Sequence, residues 1–337
     1  MKGAEGCRPT LKKLFYSFLK MKKINVLSLF DGISCGQVAL QRAGITVENY
    51  FASEIDKNAI TVTQKNFQNT IQLGDVSNWK NWNLPKIDLL IGGSPCQGFS
   101  KAGKGLNFED PRSKLFFEYV AILKELKPTY FLLENVQMKK EWRDIISEYL
   151  GVEPILINSE LVSAGKRPRA YWTNIPGVTI PENRGILLES ILQNGSVDRD
   201  KAYCLDANYF KGTNARHYLT KSRRQIVWQI PEATKKGYVE VSPGQCVDLT
   251  FIKSKTRRGR LMIEKANCLT ASSQKLCKVT NGWFRLLTPV ECERIQTLPD
   301  DYTVGISNSA RYKALGNGWT VDVIAHLMSG LKTDLEE

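Results

Sequence analysis

The rhythm of apolar and polar positions changes twice along the chain. From Met21 to about residue 175, short apolar runs alternate with stretches of helical period. NVLSLF, NYFASE, DLLIGG and YFLLEN are continuous enough to be buried strands, and AITVTQKNF and RSKLFFEYVAILKEL lie between them. In the second of these helical segments Leu115, Tyr119, Ile122, Leu123 and Leu126 share one face, and Pro128 stops the helix ahead of YFLLEN. This alternation predicts βαβ units, hence an α/β fold with a doubly wound, mostly parallel sheet.

Between 176 and 283 the pieces become short and uneven, rich in Lys, Arg, Asn, Gly and Ser, which predicts a second, smaller, irregular domain. Periodicity returns at Thr288-Pro289-Val290-Glu291, where Thr caps, Pro takes the first helical position and Glu closes a capping box. Val323, Ile324, Leu327, Met328 and Leu331 then mark an amphipathic helix, so 284–337 is expected to return to the first domain. Residues 1–20 are basic and precede a second methionine, Met21. They are expected to be a poorly ordered extension, with the first domain occupying 21–175.

Charge narrows the partner. Forty-seven Lys+Arg against 34 Asp+Glu give a formal net charge of +13, the electrostatic footprint of a protein that meets a polyanion. Eight cysteines stand scattered without a C-x-x-C pair and only two histidines are present, so no metal site is expected. No run is apolar enough for a membrane span and no signal peptide is visible, which predicts a cytoplasmic protein.

Chemistry gathers at the expected strand ends. The first strand runs into Phe30-Asp31-Gly32-Ile33-Ser34-Cys35-Gly36, a turn followed by a helix start that lets a ligand approach the backbone. Glu54 ends the second strand, where doubly wound folds place a carboxylate against ribose hydroxyls, and Asp75 in QLGDVSN ends the next. After DLLIGG comes Ser94-Pro95-Cys96-Gln97-Gly98-Phe99-Ser100, a cysteine held just past a buried strand as a nucleophile is held. Glu134-Asn135 leaves YFLLENV at the same sheet edge.

These blocks resemble the cytosine-C5 DNA methyltransferases: SPCQGFS is similar to the nucleophile motif, LLENV to the glutamate motif and SLFDGISCG to the S-adenosylmethionine loop. Residues 162–169 are similar to the two-arginine motif, and RLLTPVECERIQTLPDDY and ALGNGWTVDV to the last two. SLFDGI, GGSPC and KLFFEY look especially similar to the animal de novo enzymes' catalytic domains and to phage and bacterial relatives, of which the small size favours the latter. One position departs: many relatives carry Gln two residues before the first motif arginine, where this chain has Gly165.

The resemblance implies a class I, Rossmann-like S-adenosylmethionine-dependent methyltransferase with S-adenosylhomocysteine as product. It implies Cys96 as nucleophile toward cytosine C6, Glu134 at N3 and the exocyclic amine, and Arg167 and Arg169 at the base carbonyl and a nearby phosphate. Cofactor contacts are implied for Phe30 through Gly36, Glu54, Ile55, Asp75, Val76, Pro95, Asn317, Gly318 and Trp319. The irregular domain would be the target-recognition domain on double-stranded DNA, with the cytosine flipped from the stack. Its expected DNA contacts are Arg223, Arg224, Arg257, Arg258 and Arg260, with Ser100, Lys101 and Lys104 on the loop after Cys96. A monomer is compatible with all of this, and a restriction-modification role fits the family. Two alternatives stay open: a transfer-RNA cytosine methyltransferase and an inactive DNA-binding relative.

Overall fold

The computed structural model describes residues 22–94, 114–213, 218, 221, 224–240, 246–248, 254–256, 258–262, 276–278 and 284–335. They fall into two compact units: one contains 22–157, 168–181 and 321 onward, the other 158–167 and 182–320. This divides the chain differently from the pattern-based boundaries. Only the last amphipathic helices cluster with the first unit, and 284–320 cluster with the irregular one. The expected extension at 1–20 lies outside the described residues.

The first unit is built on a seven-stranded sheet. Its strands are β1 (Ile24–Leu29), β2 (Val47–Ser53), β3 (Ile71–Gln72), β4 (Leu89–Gly92), β5 (Tyr130–Val136), β6 (Ile155–Asn158) and β7 (Pro168–Thr173), in the order β3-β2-β1-β4-β5-β7-β6. β3, β2, β1, β4 and β5 pair in parallel, and β7 returns antiparallel to β5. The order reverses between β1 and β4, and in such sheets the crevice beyond the strand ends at this switch point is where ligands bind.

Among the described residues, helices α1 (Cys35–Ala43), α2 (Lys57–Asn66), α3 (Lys114–Leu126) and α4 (Lys140–Leu150) accompany the strands. Tyr119 and Ile122 of α3 are fully buried as the periodicity requires. The stripe is centred slightly differently, on Phe116, Tyr119, Val120 and Ile122, while Leu115, Leu123 and Leu126 pack at its margin. Leu27, Leu29, Leu90, Leu133 and Trp172 meet α3 and α4 in one core cluster. The terminal helical pattern folds as α7 (Val321–Met328) and α8 (Gly330–Leu335). Val323, Ile324, Leu327, Met328 and Leu331 are fully buried. α7 packs on α1, where Arg42 pairs with Asp322 at 2.5 Å.

Among the described residues, the second unit holds two two-stranded sheets and a three-stranded one. β8 (Ile226–Trp228) pairs with β14 (Phe284–Leu286), β9 (Ile230–Pro231) with β10 (Tyr238–Val239), and β11 (Cys246–Asp248) lies between β12 (Leu261–Met262) and β13 (Leu276–Lys278). Its small core is Tyr218, Ile226, Trp228 and Ile230. α5 (Pro289–Ile295) begins with the expected capping box: the Thr288 side chain accepts from Glu291 N, and Glu291 accepts from Thr288 N at 2.8 Å. α6 (Asn308–Asn317) follows.

Candidate functional site

The β1 strand end is bent by three residues in the left-handed region, Phe30, Gly32 and Ser34, of which only Gly32 adopts it without strain. This turn is stapled to the end of β2. Asp31 N donates to Ser53 O at 3.2 Å and Gly32 N to Glu54 Oε2 at 2.8 Å. Glu54 Oε1 accepts from Ile55 N and Asp56 N at 2.7 and 2.8 Å. Glu54 therefore already orders the loop through backbone amides. A carboxylate oxygen holds about two acceptor sites, so Oε2 retains capacity for a ribose hydroxyl.

Beside it Ile55 is 70% exposed and offers an apolar face of the kind a purine ring covers. Asp75 caps the short helical turn 76–81, its Oδ1 accepting from Ser77 N at 2.8 Å, and Val76 is buried beneath. Ile33, Cys35 and Gly36 are buried at the start of α1. Asp31 receives the Tyr50 hydroxyl on Oδ1 at 2.7 Å and the Ser34 hydroxyl on Oδ2. Burial pushes its pKa up to about 6, and the hydroxyls of Ser34, Ser28 and Tyr50 act in the opposite direction.

At the end of β5 the antiparallel register sets Glu134 across from Tyr171 and Val136 across from Arg169, which leaves Glu134 and Arg169 diagonal neighbours on one face. Arg169 Nε lies 2.7 Å from Glu134 Oε1, both side chains largely buried. The next residue, Asn135, donates from Nδ2 to Ser94 Oγ at 3.4 Å, tying β5 to the chain just before Pro95-Cys96. Pro95, Cys96, Ser100, Lys101 and Lys104 lie outside the described residues.

Arg167, expected at the base carbonyl or a nearby phosphate, is held by backbone carbonyls in this structure. It precedes β7, so strand alternation does not bring it to the face of Arg169. In the second unit its buried guanidinium donates to Leu205 O and Gly316 O, each at 3.2 Å. A Cβ at Gly316 would come within 2.3 Å of the Asp206 backbone, so only glycine allows the 205–207 chain this close. Asn317 ends α6, and buried Gln296 holds the following turn by donating to Leu315 O and Gly318 O at 2.7 and 3.1 Å. Thr320, just past Trp319, donates to Gln296 Oε1 at 2.8 Å. Gln296 had no signal in the sequence beyond its place in a resembling motif, nor had Lys201, whose ammonium binds the carbonyls of Glu160, Ser163 and Ile186.

Arg224, Arg258 and Arg260 of the basic cluster are among the described residues. Arg260 is fully buried and Arg224 turns inward, its Nε 3.6 Å from Asp206 and its Nη1 on Gly212 O. Arg258 is exposed while donating to Ala233 O at 2.7 Å. Arg223 and Arg257 lie outside the described residues.

Residues 24–144 and 180–333 match the family described as C-5 cytosine-specific DNA methylase. The type II methyltransferase M.FnuDI of Fusobacterium nucleatum is 30% identical over 93% of this chain and 96% of its own length. The orphan methyltransferase M.Rho11sI of Bacillus phage rho11s is 47% identical over 49% of this chain, which spans only 32% of that relative. The chain belongs to the C-5 cytosine-specific DNA methylases.

The fold agrees. The Entamoeba histolytica methyltransferase EhMeth superposes with a TM-score of 0.59 at 19% identity, covering 94% of this chain and all of the other. Within this methylase the departure at Gly165 has a physical cause. A Cβ there would stand 2.6 Å from Ile295 Cγ2, so Ile295 occupies the space a longer side chain would need. Among the described residues no helix is long and apolar enough to cross a membrane, and no cluster of His, Cys, Asp and Glu is arranged to hold a metal.

Proposed function

We propose that this methylase is a DNA (cytosine-5-)-methyltransferase acting through Cys96 on a cytosine flipped from double-stranded DNA. The observation that carries the reading is the Glu134–Arg169 pair at the end of β5, joined through Asn135 to Ser94, two residues from Cys96. A carboxyl group and a guanidinium held on one face suit a cytosine edge: Glu134 meets N3 and the exocyclic amine, and Arg169 meets the base carbonyl while fixing Glu134.

Cytosine C5 is too weak a nucleophile by itself. The Cys96 thiolate adds to C6, the C5=C6 π electrons move toward C5, and a proton shared between Glu134 and N3 offsets the charge gathering on the ring. S-adenosylmethionine, when bound, supplies the electrophilic methyl that C5 takes and departs as S-adenosylhomocysteine. Loss of the C5 proton to a base then re-forms the C5=C6 bond and expels Cys96 as thiolate.

The residues present fit that methyl donor. A strand-end carboxylate at Glu54, the exposed Ile55 beside it and a half-buried carboxyl at Asp31 suit ribose, adenine and a cationic amino-acid end respectively. Phe30, Gly32, Asp75 and Val76 frame the same strand ends, and the family motif adds Asn317, Gly318 and Trp319. Bisulfite sequencing of DNA from cells expressing the protein tests the reading. Methylcytosine in a fixed sequence context is expected; unmodified DNA together with methylated transfer RNA would overturn it.

A further inference from the structure

We propose that Tyr50 is a positioning residue that holds the Asp31 carboxylate in one orientation to receive the positively charged methionyl end of the methyl donor. The inference rests on the cofactor reading above and extends it to a residue on β2 that no motif contains.

The geometry is specific. Tyr50 is 4% exposed, and its hydroxyl reaches from β2 to Asp31 Oδ1 at 2.7 Å. Ser34, fully buried and left-handed, gives its hydroxyl to Oδ2. One donor on each oxygen fixes the rotation of the carboxyl plane, and Asp31 N on Ser53 O fixes its backbone. The groups acting on the carboxyl are the hydroxyls of Ser28, Ser34 and Tyr50 and the like-charged Glu54, and among the described residues no cation pairs with it.

A carboxyl group desolvated beside another acid, yet provided with donors that favour its ionised form, lacks a countercharge that a ligand can bring. The ligand class is an amino acid or its sulfonium derivative, with a cationic group at the end of β1. Because burial raises the pKa of Asp31 to about 6, that ligand binds a form populated only as pH rises through this value. Each hydroxyl extends the ionised form to lower pH.

The test is calorimetric titration of the full chain with S-adenosylmethionine and, separately, with 5′-methylthioadenosine, which lacks the methionyl end. Titrations span about pH 5 to about pH 7, below the range where an α-amino group loses its proton. Wild-type affinity for S-adenosylmethionine is expected to rise through the range and level off. In Tyr50→Phe the rise moves up by about one pH unit, so that near pH 6 the ionised fraction and the affinity drop about fivefold. Asp31→Asn should bind weakly with no rise. 5′-Methylthioadenosine should bind wild type and Tyr50→Phe alike at every pH.

If Tyr50→Phe weakened both ligands equally without displacing the rise, Tyr50 would be a packing residue and the proposal would fall while the cofactor reading stood. An unchanged Tyr50→Phe profile would overturn it equally. If wild type bound neither ligand, the cofactor reading itself would fail and take the proposal with it.

Discussion

The strand-end edge of the first unit and the basic segment of the second treat their polar residues in opposite ways. At the edge, Asp31, Glu54, Asp75 and Glu134 stand where strand order puts them, each with donors gathered on its oxygens. In the second unit, arginines expected from the family resemblance at DNA or at the target base turn inward. Arg260 is fully buried, Arg224 lies against Asp206, and Arg167 is committed to backbone carbonyls. A short carboxylate at the end of a parallel strand is placed by the sheet, whereas a long guanidinium reaches whichever acceptors the irregular chain brings near. Positive charge in sequence therefore says less about where a side chain lies than a strand-end acid does.

The largest expected effect sharpens this contrast at Glu134. Glu134→Gln keeps the shape of the pocket but removes the acidic partner of N3, so single-turnover methyl transfer should slow by about 10²–10⁴-fold with DNA affinity little changed. A rate within a factor of a few of wild type would remove Glu134 from the chemistry.

Next comes Glu54→Ala. It removes the staple between the β1 turn and the end of β2 along with any ribose contact, and should weaken S-adenosylmethionine binding by roughly tenfold or more. Calorimetry on protein of unchanged circular dichroism measures this, and an unchanged dissociation constant would detach the strand-end acid from the cofactor.

Two substitutions then separate the arginines of the basic segment. Arg260→Ala should cost about 3 kcal/mol in denaturant unfolding, because it empties a fully buried site. Equal stability would mean that burial there is incidental. The smallest effect belongs to exposed Arg258: Arg258→Gln should lower the slope of log affinity against log salt by about 1 or less and leave stability alone. A large loss of sequence preference instead would make Arg258 a reader of bases.

The same contrast explains what could be read beforehand. Strands β1, β2, β4 and β5, the capping box at Thr288 and the buried stripe through Leu331 follow from local period and turn chemistry, which act over a few residues. Tyr50, Gln296 and Lys201 escaped because their roles depend on partners far along the chain: Asp31, Leu315 with Gly318, and Glu160, Ser163 and Ile186. β7 escaped because its antiparallel return breaks the βαβ alternation, although it is what brings Arg169 onto Glu134. Arg167 and Arg169 look equivalent in the sequence, yet Arg169 lies on β7 and pairs with Glu134, whereas Arg167 precedes the strand and donates to Leu205 O and Gly316 O.

The central claim is that Cys96 forms a covalent bond to cytosine C6 before the methyl moves. DNA carrying 5-fluorocytosine at the recognised position, incubated with the protein and S-adenosylmethionine, tests it on a denaturing gel. Fluorine at C5 does not leave as a cation, so elimination stalls after methyl transfer and the protein should remain attached, with mass spectrometry mapping the link to Cys96. Cys96→Ala should give no adduct while still binding DNA. An adduct at Cys204 or Cys35, or none on a substrate the protein recognises, would contradict the account.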